Sequence, residues 1–181
     1  MSTTHIGLMR GINVGGKNRL PMADLRKLFE DAGCTDVRTY IQSGNVVFDA
    51  NKTTAKRLAK AIPEAIESTL GLEVPLVIVT AKELEAALRG SPYLDRPENP
   101  KALHAMFLSR APAASALEKL DPERSSPDEF TVRGRVIYLH CPNGMARTKL
   151  TNVYFDRTLG VTSTARNWRT LGRLHEMASG S

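Results

Sequence analysis

Gly11, Gly16 and Lys17 stand at the spacing of a phosphate-binding loop, G-x-x-x-x-G-K, in which backbone N–H groups and a lysine ammonium hold phosphate oxygens. Two features break the motif. Asn18 occupies the place of the Ser or Thr that would ligate magnesium, and Asn18, Arg19 and Leu20 separate Lys17 from Pro21, which has no N–H to offer at a helix start. Nucleotide hydrolysis is therefore not expected. A looser chemistry survives, with glycines that let backbone N–H groups approach an anion while Arg10, Lys17 and Arg19 supply charge. A plain flexible connector explains the same glycines.

A second concentration of polar chemistry lies near the C-terminus. Read as a helix over 166–178 capped by Ser163 or Thr164, the segment places Arg166, Arg169 and Arg173 at i, i+3 and i+7. That is a guanidinium stripe suited to phosphate geometry, with a solvated helix face as the competing reading. Trp168, Leu171, Leu174 and Ala178 would form the apolar face, with Trp168 in the core. Asn143–Lys149 is a further basic loop, carrying Arg147 and Lys149 into a helix expected from about Lys149 to Leu159.

Other reactive residue types lack partners. Ser43, in Gln42-Ser43-Gly44-Asn45, has no His nearby in sequence to activate it, and a hairpin turn explains the four residues more simply. Asn13, Gln42, Ser43, Asn45 and Asn167 could orient a small anionic substrate, but amides are not acids or bases at neutral pH. Whether any reaction is catalysed stays open, and no catalytic residue is assigned. His5, His104, His140 and His175 lack metal-ligand spacing, and Cys34 and Cys141 stand far apart, so neither a metal nor a cofactor is expected. Cys141 reads as a buried free thiol.

Charge locates the anion-binding expectation. The net charge is +6, and residues 131–181 account for all of it, with eight basic groups against Asp156 and Glu176. Residues 1–23 add Arg10, Lys17 and Arg19 with no acid. If the fold joins these two stretches they make one anion-attracting surface. The longest apolar run, Val74–Val79, is far short of the ~20 residues of a membrane helix, and the first ten residues lack the pattern of a secretory leader. A cytoplasmic protein without a membrane partner is expected, and the oligomeric state is not legible.

The elements that must position these residues follow from periodicity. His5–Arg10 reads as a strand, and Pro21–Ala32 as a helix ending at Gly33. Val37–Ile41 and Val46–Asp49 form a hairpin. A helix runs from Thr53 or Thr54 to Leu70, kinked or broken at Pro63, and Val74–Val79 is a buried strand. This order is the split βαβ arrangement of ferredoxin-like folds. Thr80-Ala81-Lys82-Glu83 is a capping box for a short helix to about Arg89, and Ser91–Pro100 is a connector. Leu103–Ser109 (strand), Pro112–Leu120 (helix), a hairpin around Gly134 and the two C-terminal helices repeat the order without an obvious last strand. The expected class is α+β, two ferredoxin-like units packed in tandem. The first half spans 1–79, a helix and linker 80–100, and the second half with C-terminal helices 101–181.

With these residues in view, the chain resembles a bacterial family of uncharacterised proteins, domain of unknown function 1697. The matching stretches are Leu8–Asn18, Leu20-Pro21-Met22, Tyr40–Phe48, Lys149-Leu150-Thr151-Asn152 and Thr164–Thr170, with Ala165 and Thr151 standing where Thr and Ser are expected. The resemblance spans nearly the whole chain and implies tandem ferredoxin-like units, in agreement with the element order. It implies no activity, substrate or catalytic residue. The expected partner is a phosphate-bearing ligand, with RNA or DNA as one form. The binding residues are Arg10, Asn13, Lys17, Arg19, Gln42, Ser43, Asn45, Arg147, Lys149, Arg166, Asn167 and Arg169. The alternatives are a small-molecule enzyme with an anionic substrate and a ligand-free interaction module.

Overall fold

The structure is a computed structural model and describes residues 1–96 and 99–180. Backbone contacts divide it into two units, Met1–Glu85 with Arg173–Ser181, and Ala86–Gly172.

The first unit runs β1 (Thr3–Met9), α1 (Met22–Asp31), β2 (Thr35–Tyr40), β3 (Asn45–Ala50), α2 (Lys52–Leu70) and β4 (Leu76–Thr80). Its antiparallel sheet has the order β2-β3-β1-β4, with Ile6 opposite Val47 on one side and Val79 on the other. Alternation along each strand sends Met9, Val46, Phe48, Ala50 and Leu76 to the helix-covered face. There they meet Leu25 and Phe29 of α1 and Leu58, Ile62 and Ile66 of α2. The Phe29 and Phe48 rings lie 5.0 Å apart at 52°, a tilted pair at the centre of this core. Each such side chain stabilises the fold by about 1.5–3 kcal/mol on burial. Of the kink or break expected at Pro63, the break does not occur, and that packing carries α2 through Pro63 as one helix. Asn51 accepts from Thr54 N at 2.8 Å to open α2, and Gly71, at φ +64°, closes it.

Thr80 and Glu83 form the expected capping box. Thr80 Oγ1 accepts from Glu83 N at 3.1 Å and Glu83 Oε2 accepts from Thr80 N at 2.8 Å, opening α3 (Ala81–Gly90).

The second unit continues with a 3₁₀ turn (Pro100–Ala102), β5 (Leu103–Leu108), α4 (Ala114–Leu117), β6 (Glu129–Arg133), β7 (Val136–His140), α5 (Asn152–Leu159) and β8 (Ser163–Asn167); α6 is Trp168–Ala178. The sheet order β6-β7-β5-β8 repeats the first unit's topology, so both halves are ferredoxin-like. Met106, Leu108, Ile137 and Leu139 pack on Phe155 and Leu159 of α5, and Phe130 meets the Phe155 ring edge-on.

Three expectations are corrected here. The missing last strand exists as β8, which pairs with β5 from His104↔Asn167 to Leu108↔Ser163. Arg166 therefore lies on a strand, the guanidinium stripe of Arg166, Arg169 and Arg173 does not form, and the cap of α6 is Asn167, whose Oδ1 accepts from Thr170 N at 2.8 Å. Helical spacing in residues 166–178 is real only from Trp168 onward, because the backbone ladder to β5 claims the residues before it. Finally, α5 starts at Asn152, since Thr151 Oγ1 caps Tyr154 N at 3.2 Å, which leaves Lys149 in the loop.

Candidate functional site

The twelve residues singled out from sequence divide between the units, Arg10, Asn13, Lys17, Arg19, Gln42, Ser43 and Asn45 in the first and Arg147, Lys149, Arg166, Asn167 and Arg169 in the second. In the first unit the glycine loop is a tight finger closed by one isolated β-bridge, Val14↔Lys17. Lys17 N donates to Val14 O at 3.0 Å and Asn13 N to Asn18 O at 3.0 Å, with Gly15 and Gly16 both at positive φ in the type I′ pattern of a tight hairpin. α1 begins at Met22, so the loop does not deliver Lys17 to a helix N-terminus.

Polar side chains of the first unit hold the finger in place. Asn13 Oδ1 accepts from Leu20 N at 2.9 Å, and its Nδ2 donates to Leu20 O at 2.9 Å and to Gln42 O at 2.8 Å. Both amide hydrogens are thus committed. Asn18 Nδ2 donates to Gly11 O at 2.8 Å. Asn45 is fully buried, and its Nδ2 donates to Tyr40 O and to Ser43 Oγ, closing the turn between β2 and β3. Gly44 in that turn has φ +79°, and a Cβ there would stand 2.7 Å from Met9 Cβ and 2.8 Å from Ile12 Cδ1, so only glycine fits. Lys17, Arg19 and Gln42 are exposed on the same pair of loops, and Arg10 is half-buried.

In the second unit, the loop after β7 borders two cavities. The more polar, about 660 Å³, is lined by residues 123–128 together with Asn143, Gly144, Arg147, Thr148 and Lys149. Its floor is a hydroxyl network: Ser125 Oγ donates to Asp128 Oδ2 at 2.7 Å and accepts from Lys149 N at 2.9 Å. Arg124 lies over the Tyr154 ring at 3.9 Å and donates from Nε to Lys149 O at 3.0 Å. Glu123 and the buried Asp128 oppose any anion there.

The second cavity, about 590 Å³, is lined by Asn99, Lys101, His104, Gly144, Met145, Asn167 and Arg169. Among the described residues, no carboxylate lines it. Neither Lys101 nor Arg169 forms an ion pair with a described residue. Burial pushes His104 below the ordinary histidine value against the opposing pull of the Ala102 carbonyl, so its imidazole is neutral at pH 7. Asn167 uses Oδ1 for the cap of α6, leaving its Nδ2 donors, and Arg169 projects from the first turn of that helix, where backbone N–H groups lack intrahelical partners.

Arg166 lines neither cavity. Its Nη1 donates to Thr164 Oγ1 and Ala165 O, each at 2.8 Å, and burial pushes the guanidinium down to about 10, still cationic at neutral pH. His104 and Lys101 are the residues that sequence reasoning missed. The register β5–β8 sets His104 directly opposite Asn167, and that pairing is invisible until β8 is known as a strand.

Among the described residues, no group of three His, Cys, Asp or Glu is placed to hold a metal ion. Burial pushes both Cys34 and Cys141 up to about 11, so both are thiols at neutral pH, and Cys141 also faces the Asp128 carboxylate. No helix of the described residues is long and apolar enough to cross a membrane.

The comparisons agree with this architecture. A solved structure of a conserved bacterial protein from Streptococcus pneumoniae matches at a TM-score of 0.69 and 23% identity, covering 98% of this chain and 99% of that one, which shows a shared fold. None of the curated proteins matches. The model of the family described as protein of unknown function (DUF1697) matches residues 2–138, and the chain belongs to that family.

Proposed function

We propose that this member of a family without an assigned activity binds a small phosphate-bearing ligand in the second unit, in the cavity lined by Lys101, His104, Asn167 and Arg169. One observation carries the proposal: two cations without a carboxylate partner among the described residues share one concave site with a neutral imidazole, and no described acidic residue lines it. A cavity of about 590 Å³ suits a small molecule. Lys101 and Arg169 take phosphate oxygens, Asn167 Nδ2 adds a neutral donor, and Met145 lies against the organic part of the ligand. Of the two cavities this one is favoured because the other places Glu123 and Asp128 in its wall and has already engaged Arg124.

Calorimetric titration with phenyl phosphate, inorganic phosphate and phenol tests it. The expected order is phenyl phosphate tightest, then inorganic phosphate, with phenol silent. Arg169→Ala and Lys101→Ala each weaken phenyl phosphate by about tenfold or more, the worth of one charge-assisted hydrogen bond. Equal binding by wild type and both variants would remove the site. A second reading, an enzyme acting on an anionic substrate, is favoured by His104, the one described lining residue able to exchange a proton near neutral pH. It requires a substrate whose turnover, but not binding, is lost in His104→Gln.

A further inference from the structure

The finger of the first unit has features that the cavity reading leaves unused. Its shape is fixed by its own hydrogen bonds, two between backbone groups across the hairpin and four made or accepted by the Asn13 and Asn18 side chains. It is cationic, because residues 1–23 contain no acid and the exposed Lys17 and Arg19 form no ion pair with a described residue. It also exposes apolar surface where solvent contact alone would favour polar residues. Val14 at the tip is 64% exposed, and Ile41 in the adjoining turn is 51% exposed. Each is one residue from the hydrogen bond that joins the two loops, Asn13 Nδ2 to Gln42 O. Ile41 further sits at φ +49°, a conformation that β-branched side chains resist and that glycine or asparagine would adopt with little strain. An exposed isoleucine held there contributes nothing to the core, and strain of this kind gathers at functional surfaces.

We infer that this finger and the turn beside it are a contact for duplex nucleic acid, with Lys17 and Arg19 on backbone phosphates and the Val14 tip in the groove. The major groove of B-DNA, about 12 Å wide, admits a two-stranded β ribbon and so has room for a turn closed by a single bridge. Val14 is an apolar partner for a thymine methyl, and the exposed Gln42 amide beside it is of the type that reads adenine. A lipid surface is the poorer fit, because residues 11–19 and 41–44 contain no Trp, Tyr, Phe or Leu to insert at an interface. The contact is independent of the cavity in the second unit and shares no residue with it.

The test is fluorescence anisotropy of the full chain with a labelled DNA duplex of about 20 base pairs, its single strand, and vesicles of phosphatidylserine in phosphatidylcholine. With two or three phosphates neutralised, duplex affinity should fall about 10- to 40-fold between about 50 and about 200 mM salt. Lys17→Glu/Arg19→Glu should weaken it by about tenfold or more, whereas Lys52→Glu/Lys56→Glu, the same charge change on α2, should weaken it less than about threefold. Val14→Ser/Ile41→Gly should also weaken binding, and because Gly relieves the strain at position 41 its thermal midpoint should not fall, which separates lost contact from lost folding. Four results would each overturn the inference: no duplex binding at low salt, equal loss in the α2 control, tighter binding of the single strand, or finger-dependent binding of vesicles without binding of duplex.

Discussion

Replacing Asn13 by aspartate changes one NH₂ group into an oxygen and tests how the finger is held. In the native protein Nδ2 donates to Leu20 O at 2.9 Å and to Gln42 O at 2.8 Å, while Oδ1 accepts from Leu20 N at 2.9 Å. Leu20 is 1% exposed, so its backbone groups find no water when the side chain is lost. Asn13→Ala leaves them unsatisfied at about 1–3 kcal/mol apiece, and alanine at φ +53° adds about 1 kcal/mol. About 3–5 kcal/mol is expected, or a thermal midpoint lower by about 10 °C. Asn13→Asp keeps the acceptor for Leu20 N but sets a carboxylate oxygen against two carbonyl oxygens, and should cost more than alanine at pH 7. That repulsion raises the folded-state pKa of the new carboxyl above its unfolded value of about 3.9. The extra penalty is therefore present above the folded pKa and shrinks as pH falls through it, where the protonated carboxyl regains one donor. Urea unfolding at pH 7 and near pH 4.5 measures both effects. An aspartate variant as stable as wild type, or one whose deficit relative to wild type is the same at both pH values, would refute this view of the finger.

Further substitutions probe the second unit and the start of α3. His104 is buried with its pKa held below the ordinary value, so the unfolded chain binds more protons, and the stability it contributes is lost as pH falls from about 6.5 through the folded pKa. His104→Gln should flatten the stability profile in that window, measured by urea midpoints against pH. Ser125→Ala removes the donor to the buried Asp128 carboxylate and the acceptor for Lys149 N, and should lower stability by about 2 kcal/mol in chemical denaturation. Thr80→Ala breaks the capping box of α3 and should cost about 1 kcal/mol, with amide exchange faster in the first turn of that helix.

The first half of the fold was legible because its signals are local and agree with one another. Gly71 closes α2, Thr80 and Glu83 cap α3, and strands of alternating or continuous apolar residues bound a turn whose glycine has no substitute. The second half hid β8, since Arg166, Arg169 and Arg173 imitate a helix face and only pairing with β5 reveals residues 163–167 as a strand. The candidate site suffered most from that error. Asn167 and Arg169 were visible by type, but the partner that makes them a site, His104, is 63 residues earlier and is reached only through the β5–β8 register. The amides of Asn13 and Asn45 show the opposite failure, because residue type cannot distinguish a ligand contact from a group already bonded to the backbone.

Proton NMR titration of the His104 imidazole, with and without inorganic phosphate, tests anion binding at the second cavity most directly. His104 should titrate below the ordinary histidine value in the free protein, as burial requires, and its pKa should rise when phosphate joins Lys101 and Arg169 in the cavity. The rise should vanish in Arg169→Ala/Lys101→Ala. A His104 titration unmoved by phosphate at millimolar concentration would contradict the cavity as an anion site.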